Sequence, residues 1–227
     1  NGGGGLLRQV VAPQGVQVVD GQVARMLNAG LGAPVLDRLG ANGAVALAFF
    51  SGRRRAVQRR MEEGARLLRE AGASAVAGLD EAEGQALLQQ LTDLGWSGDT
   101  RPYLGIKVSV PPSAVARVAG RCRQDAPLGL PPGVVADPGF GTVRLFWWAG
   151  SVSEWIDDSL VLETIVRTRQ LAREAGGSTL IEHCPLTVKR KIDVWGDQPQ
   201  GMQIMQRIKH AFDPLWIMSP GRFVGRI

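Results

Sequence analysis

The chain has 227 residues, 44% of them hydrophobic and 21% charged, enough for one globular core or two small ones. Its net charge is +5, and lysine supplies only Lys107, Lys189, Lys191 and Lys209, so arginine is the dominant cation. Such a surplus suits anionic partners but does not speak to fold. No apolar run reaches spanning length. The opening Asn1-Gly2-Gly3-Gly4-Gly5 has no basic start and no apolar stretch, so it reads as a linker remnant rather than a secretory leader. Cys122 and Cys184 are too few and too distant for a disulfide framework or a thiolate metal site. The expected location is the cytoplasm, with any membrane association made through partner subunits.

In chain order, residues 1–42 hold Pro13, Pro34 and many glycines and read as an irregular connector or arm; residues 43–227 read as one α+β domain. Ala44 to Phe50 is a continuous apolar run, a buried strand. An arginine-rich helix follows, opened by Arg53-Arg54-Arg55 and striped by Val57, Met61, Ala65 and Leu68. Without interleaved aromatics its cations read as a solvated face rather than a nucleic-acid platform. Ala73 to Gly78 reads as a short strand, and Asp80 caps a helix ending at Gly95.

Tyr103 to Val110 alternates Leu104, Ile106, Val108 and Val110 with Gly105, Lys107 and Ser109, which predicts a strand with one buried face. Ser113 caps a helix whose inner stripe is Val115, Val118, Ala119 and Cys122. Val134 to Ala136 and Thr142 to Trp148 form a hairpin turning at Asp137-Pro138-Gly139. A helix over 154–175 places Trp155, Leu162, Ile165 and Ala172 inward, and Ser178 to Glu182 is a last strand. From Tyr103 the order is β-α-β-β-α-β, the ferredoxin-like order, preceded by a shorter β-α-β-α stretch. That predicts an antiparallel sheet with helices on one face. There is no G-x-G-x-x-G, no phosphate loop and no H-E-x-x-H helix.

The tail carries the most specific pattern. Apolar residues at Met202, Met205, Ile208 and Phe212 make a helical stripe, Asp213-Pro214 stops it, Leu215-Trp216-Ile217-Met218 is an apolar anchor, and Pro220-Gly221 turns to present Arg222. With Lys209 on the helix, this order resembles the C-terminal domain of FAD-linked oxidases. The run Ile192-Asp193-Val194-Trp195-Gly196 looks most like the FAD-binding subunit of glycolate oxidase. Ser219 stands where that family usually has Asn. The resemblance implies a duplicated ferredoxin-like cap over FAD and oxidation of a small 2-hydroxy acid of glycolate or lactate type by hydride transfer to FAD. It also implies partnership with an FAD-binding domain, absent from this chain, or with other oxidase subunits. Alone, the chain is expected to be inactive. The alternative is a non-catalytic ferredoxin-like module that binds a ligand or assembles subunits.

Candidate site residues come from both sources. A Glu-His-Gly stretch in the D-2-hydroxyacid dehydrogenase branch makes Glu182 and His183 catalytic candidates by resemblance, with imidazole suited to take a hydroxyl proton near neutral pH. Cys184 replaces the glycine and the hairpin has no histidine, so no metal is expected; a histidine satisfied by its strand-end neighbours is the other reading of His183. From their strands, Lys107 and Arg144 are substrate-binding candidates, opposite an apolar face and able to hold a carboxylate. Equally, they fit ordinary exposed sheet cations. Trp147 and Trp148 point to opposite faces, which makes one core and Trp148 a candidate wall of the substrate site. Arg222 and Ser219 are the cofactor-binding candidates, toward FAD held mainly elsewhere.

Overall fold

The computed structural model describes residues 12–30, 43–96, 98–125, 127–148 and 157–227. Within them lies a six-stranded sheet of strands β1 (Gly15–Val19), β2 (Val45–Phe49), β3 (Leu104–Ser109), β4 (Gly133–Asp137), β5 (Thr142–Trp147) and β6 (Ser178–His183). The strand order is β2-β1-β4-β5-β3-β6, and each neighbouring pair is antiparallel. The helices are α1 (Gly21–Gly30), α2 (Arg54–Glu70), α3 (Glu81–Asp93), α4 (Val115–Gln124), α5 (Asp158–Glu174), α6 (Leu186–Lys189) and α7 (Met202–Phe212).

The ferredoxin-like unit is β3-α4-β4-β5-α5-β6, as its alternation predicts. Leu104, Ile106 and Val108 pack with Val143, Leu145 and Trp147 on one face, under Val115, Val118 and Cys122 of α4 and Val161, Ile165 and Ala172 of α5. The β4–β5 turn is fixed by Asp137, whose carboxylate accepts from the Gly139 and Phe140 N–H groups at 2.9 and 3.0 Å. Asp157 caps α5 by accepting from Ser159 N–H, 2.9 Å. The predicted start of that helix, with Trp155, lies outside the described residues. Asp80 and Glu83 form a reciprocal capping box on α3. Ser113, expected as a cap, instead lies in a 3-10 turn, Pro112–Ala114, that leads into α4 without a side-chain cap.

Three expectations are corrected. Residues 1–42 are not irregular throughout: β1 lies inside the sheet, with Val19 opposite Val45 on one side and Val135 on the other. Pro13 and Gly15 only introduce the strand; Val16, Val18 and Val19 build it. Asp20 then caps α1 by accepting from Val23 N–H at 2.9 Å. Second, Ala73–Gly78 is not a strand but a largely exposed loop, paired with no strand among the described residues, because its small residues offer little to bury. Third, what precedes the ferredoxin-like unit is not a full second copy among the described residues. It is a two-stranded extension of the same sheet.

That extension changes the layering. Around β3, β5 and β6 the helices lie on one face. At the other end, α1 and α3 cover the opposite face, where Val23, Leu27, Leu87 and Leu91 pack on Val19, Val135, Phe146 and Trp148. Half of that second face is therefore left without a helix among the described residues.

The tail is tied to the outer strand. Ile181 N–H donates to the Val194 carbonyl at 2.9 Å, so the Ile192–Gly196 run covers the free edge of β6. Arg169 donates to the Asp193 carbonyl, and Arg173 holds Asp197 through two bonds of 2.6 and 2.7 Å. Met202 of α7, Val224 and Ile227 then form a small separate cluster beside Trp195.

Candidate functional site

Strand alternation decides what the open half-face displays. Leu104, Ile106 and Val108 point into the core, so Gly105, Lys107 and Ser109 point the other way. Lys107 stands directly opposite Arg144 on β5 and opposite Leu180 on β6. The two cations thus share one face, and both are half-buried.

The β3–β6 register is interrupted at one point. Ile106 faces Ile181, but Gly105 faces His183, so Glu182 is an extra residue on β6. A bulge of this kind re-aims side chains out of strict alternation. Glu182 reaches the cationic face, its Oε2 3.8 Å from Arg144 Nε, with its side chain largely buried. His183 lies over Gly105: a Cβ there would meet His183 Cδ2 at 3.1 Å, so the missing side chain makes room for the ring. Trp96 closes the other side of the imidazole edge-on, with centroids 5.2 Å apart.

His183 Nε2 is buried and has no hydrogen-bond partner among the described residues. Burial, and then the nearby Arg101 cation, hold its pKa below the ordinary 6.5, against an opposing pull from Glu182. This favours neutral imidazole. Beside it is a cavity of about 390 Å³ lined by Arg101, Tyr103, Glu182, His183, Cys184 and Lys189, among others. Burial raises the Cys184 thiol, with Lys189 opposing, and raises Tyr103 together with Asp158 and Cys184. Both side chains are therefore protonated near neutral pH.

The bulge brings together four of the seven residues singled out from sequence: Lys107, Arg144, Glu182 and His183. Trp148 is corrected. It points away from Trp147, but both rings are buried. Trp148 stacks on Phe146 with centroids 5.6 Å apart and donates from Nε1 to the Thr100 carbonyl at 2.7 Å. Helices α1 and α3 cover that end of the face, and Gly133 leaves space for the ring, so Trp148 is core and not a substrate wall. Ser219 and Arg222 lie on the exposed tail turn, where Arg222 N–H donates to the Ser219 carbonyl at 3.3 Å. They take no part in the sheet cluster. Gly105, Trp96 and Arg101 escaped sequence reasoning; a glycine inside the clearest strand was the available signal of a bulge or close approach.

No group of three or more His, Cys, Asp or Glu side chains suited to a metal ion occurs among the described residues. No helix among them is long and apolar enough to cross a membrane. The family described as FAD linked oxidases, C-terminal domain, matches residues 6–223. No curated protein gives a significant match.

Proposed function

The chain belongs to the family of FAD-linked oxidase C-terminal domains, and on that premise we propose that it is the substrate-side cap of an oxidoreductase acting on a small 2-hydroxy acid. The observation that carries this reading is the paired, half-buried Lys107 and Arg144 on a sheet face without a helix over it, flanked by Glu182 and His183. A 2-hydroxy acid presents a carboxylate and, one carbon away, a hydroxyl. Arg144 and Lys107 supply charge-assisted donors for the carboxylate. Neutral His183 is the acceptor for the hydroxyl proton, and Glu182 lies on the same face with its Oε2 3.8 Å from Arg144 Nε.

The residues fit one wall of a flavin site and not a whole one. The face is single-sided, and no glycine-rich turn between strand and helix offers backbone N–H groups to a pyrophosphate. Bound FAD would supply the hydride acceptor; its dinucleotide would be held mainly by the FAD-binding domain, with Ser219 and Arg222 of the tail turn as this chain's contribution. The finer assignment to the glycolate oxidase FAD-binding subunit follows the Ile192–Gly196 run and belongs to the same proposal, as does the cytoplasmic location.

A second reading, a non-catalytic anion-binding or assembly subunit, is favoured by one observation: His183 Nε2 is sealed under its neighbours. The deciding experiment combines the chain with the FAD-binding domain, adds glycolate or lactate without oxygen, and follows the visible flavin absorbance. The cap reading expects bleaching, with kcat/KM reduced roughly tenfold to a hundredfold by Arg144→Ala and kcat reduced by His183→Gln. Tight 2-hydroxy acid binding without bleaching would instead establish the second reading.

A further inference from the structure

We propose that the outer edge of β2 takes up an extended segment of a partner protein, whose acidic end is held by the arginines that open α2. This surface lies at the opposite end of the sheet from Lys107, Arg144 and His183 and does not depend on the cap reading. In the strand order β2 is outermost, so alternate N–H and C=O groups along it face away from β1. The other edge of the sheet is closed, because Ile181 of β6 donates to the Val194 carbonyl. β2 has no such cover among the described residues.

Nor does its sequence guard it. Exposed edges are ordinarily blunted by a charge, a proline or a bulge. Ala44 to Phe50 contains no charged residue and no proline, and β2 runs opposite β1 in unbroken register from Val45 to Phe49. Val45 and Leu47 are buried in the core beneath α1 and α3, which fixes the strand against slipping. Ala46, on the other face, is exposed and too small to screen the backbone beside it. A strand held in place and bare along its outer side is a template for an added strand.

Charge selects the segment. Phe50-Ser51-Gly52 separates β2 from Arg53-Arg54-Arg55, and Arg59 and Arg60 follow on α2. All are exposed, and none forms an ion pair among the described residues, whereas Arg66 in the same helix pairs with Glu63 and Glu70. Helix stability does not account for these cations: the first turn of α2 holds no acid, and the macrodipole disfavours positive charge there. A strand added antiparallel to β2, as every neighbouring pair in this sheet runs, brings its N-terminal end beside Phe49, so acidic residues at that end meet the arginines. Two copies of β2 paired about a two-fold axis would set each arginine turn beside Gly43-Ala44 of the other copy, which offers no acid. No large apolar side chain of α2 is exposed to enter a bilayer.

The test titrates the chain with two labelled peptides, one of three glutamates followed by Val-Thr-Val-Thr-Val and one of three lysines followed by the same residues. Fluorescence anisotropy gives the affinities, and hydrogen exchange follows the β2 amides. The glutamate peptide should bind at least about tenfold more tightly at low salt, and the difference should shrink as salt is raised. Its binding should slow exchange along β2. Arg54→Glu with Arg55→Glu alters side chains that are already exposed, so the circular dichroism spectrum should not change, while the preference between the peptides should invert. Equal affinity for the two peptides, or no binding of either, overturns the proposal. So does tight binding of the glutamate peptide that leaves β2 exchange unchanged, since the arginines would then act without the strand edge. Slow exchange of every β2 amide in the chain alone overturns it as well: protection that rises with concentration assigns the edge to a second copy, and protection independent of concentration assigns it to the chain itself.

Discussion

Glu182 and His183 occupy consecutive positions on a strand, which by simple alternation would put them on opposite faces. The bulge opposite Gly105 puts Glu182 beside Arg144 and His183 over Gly105 on the same face, and that is the part of the site alternation hides. Lys107 and Arg144 were legible because they interrupt runs of apolar residues at period two. The burial of Trp148 was not, since it depends on α1, α3 and the bare Gly133 arriving from distant sequence. The burial of His183 has a measurable sign. The unfolded chain protonates it near the ordinary 6.5; the folded imidazole, desolvated and facing Arg101 with Glu182 opposing, protonates only at lower pH. Its stabilising share is therefore complete above about 6.5 and is lost as pH falls through the folded value. Urea midpoints of the wild type relative to His183→Gln should decline over that range, and a flat difference would show the ring to be freely solvated. Ser219 gives a second test. At φ of 47° it occupies a conformation that Asn and Gly tolerate better. Ser219→Asn should stabilise the tail turn by up to about 1 kcal/mol, read as higher amide protection from 219 to 222.

Among the elements, β1 and α1 show where composition misleads. Glycines and prolines around Pro13 and Gly15 gave the first 42 residues the look of a connector. A five-residue strand has too short a pattern to stand out, and its partners β2 and β4 are specified much later in the chain. Asp20 joins this unit to the rest. It caps α1, and its other oxygen accepts from Arg123 Nη1 at 2.9 Å, at the far end of α4. Asp20→Ala should cost about 1–2 kcal/mol, the usual range for a lost cap. Arg123→Ala should cost less than about 1 kcal/mol, because its half-exposed guanidinium gains little from the pair. Urea unfolding at an unchanged slope would measure both. Equal losses would mean that the ion pair, and not the cap, holds the unit.

At the scale of the whole molecule, the two large cores cannot open separately. β4 gives Val134 and Ala136 to one and Val135 to the other; β5 gives Leu145 and Trp147 to one and Phe146 to the other, with Trp148 just past its end. Losing either core breaks the strands of both. The outer helices are bound differently: Gly64 is the buried residue of α2 and Met202 that of α7. Elements with so little burial open locally at a fraction of the global free energy. Native-state hydrogen exchange should therefore find β3 and β5 amides exchanging only through global unfolding, with α2 and α7 exchanging faster. If α7 already exchanged as slowly as β5, its exposed stripe of Ile204, Ile208 and Phe212 would have to be covered within the chain, and the marginal hold on this helix would be refuted.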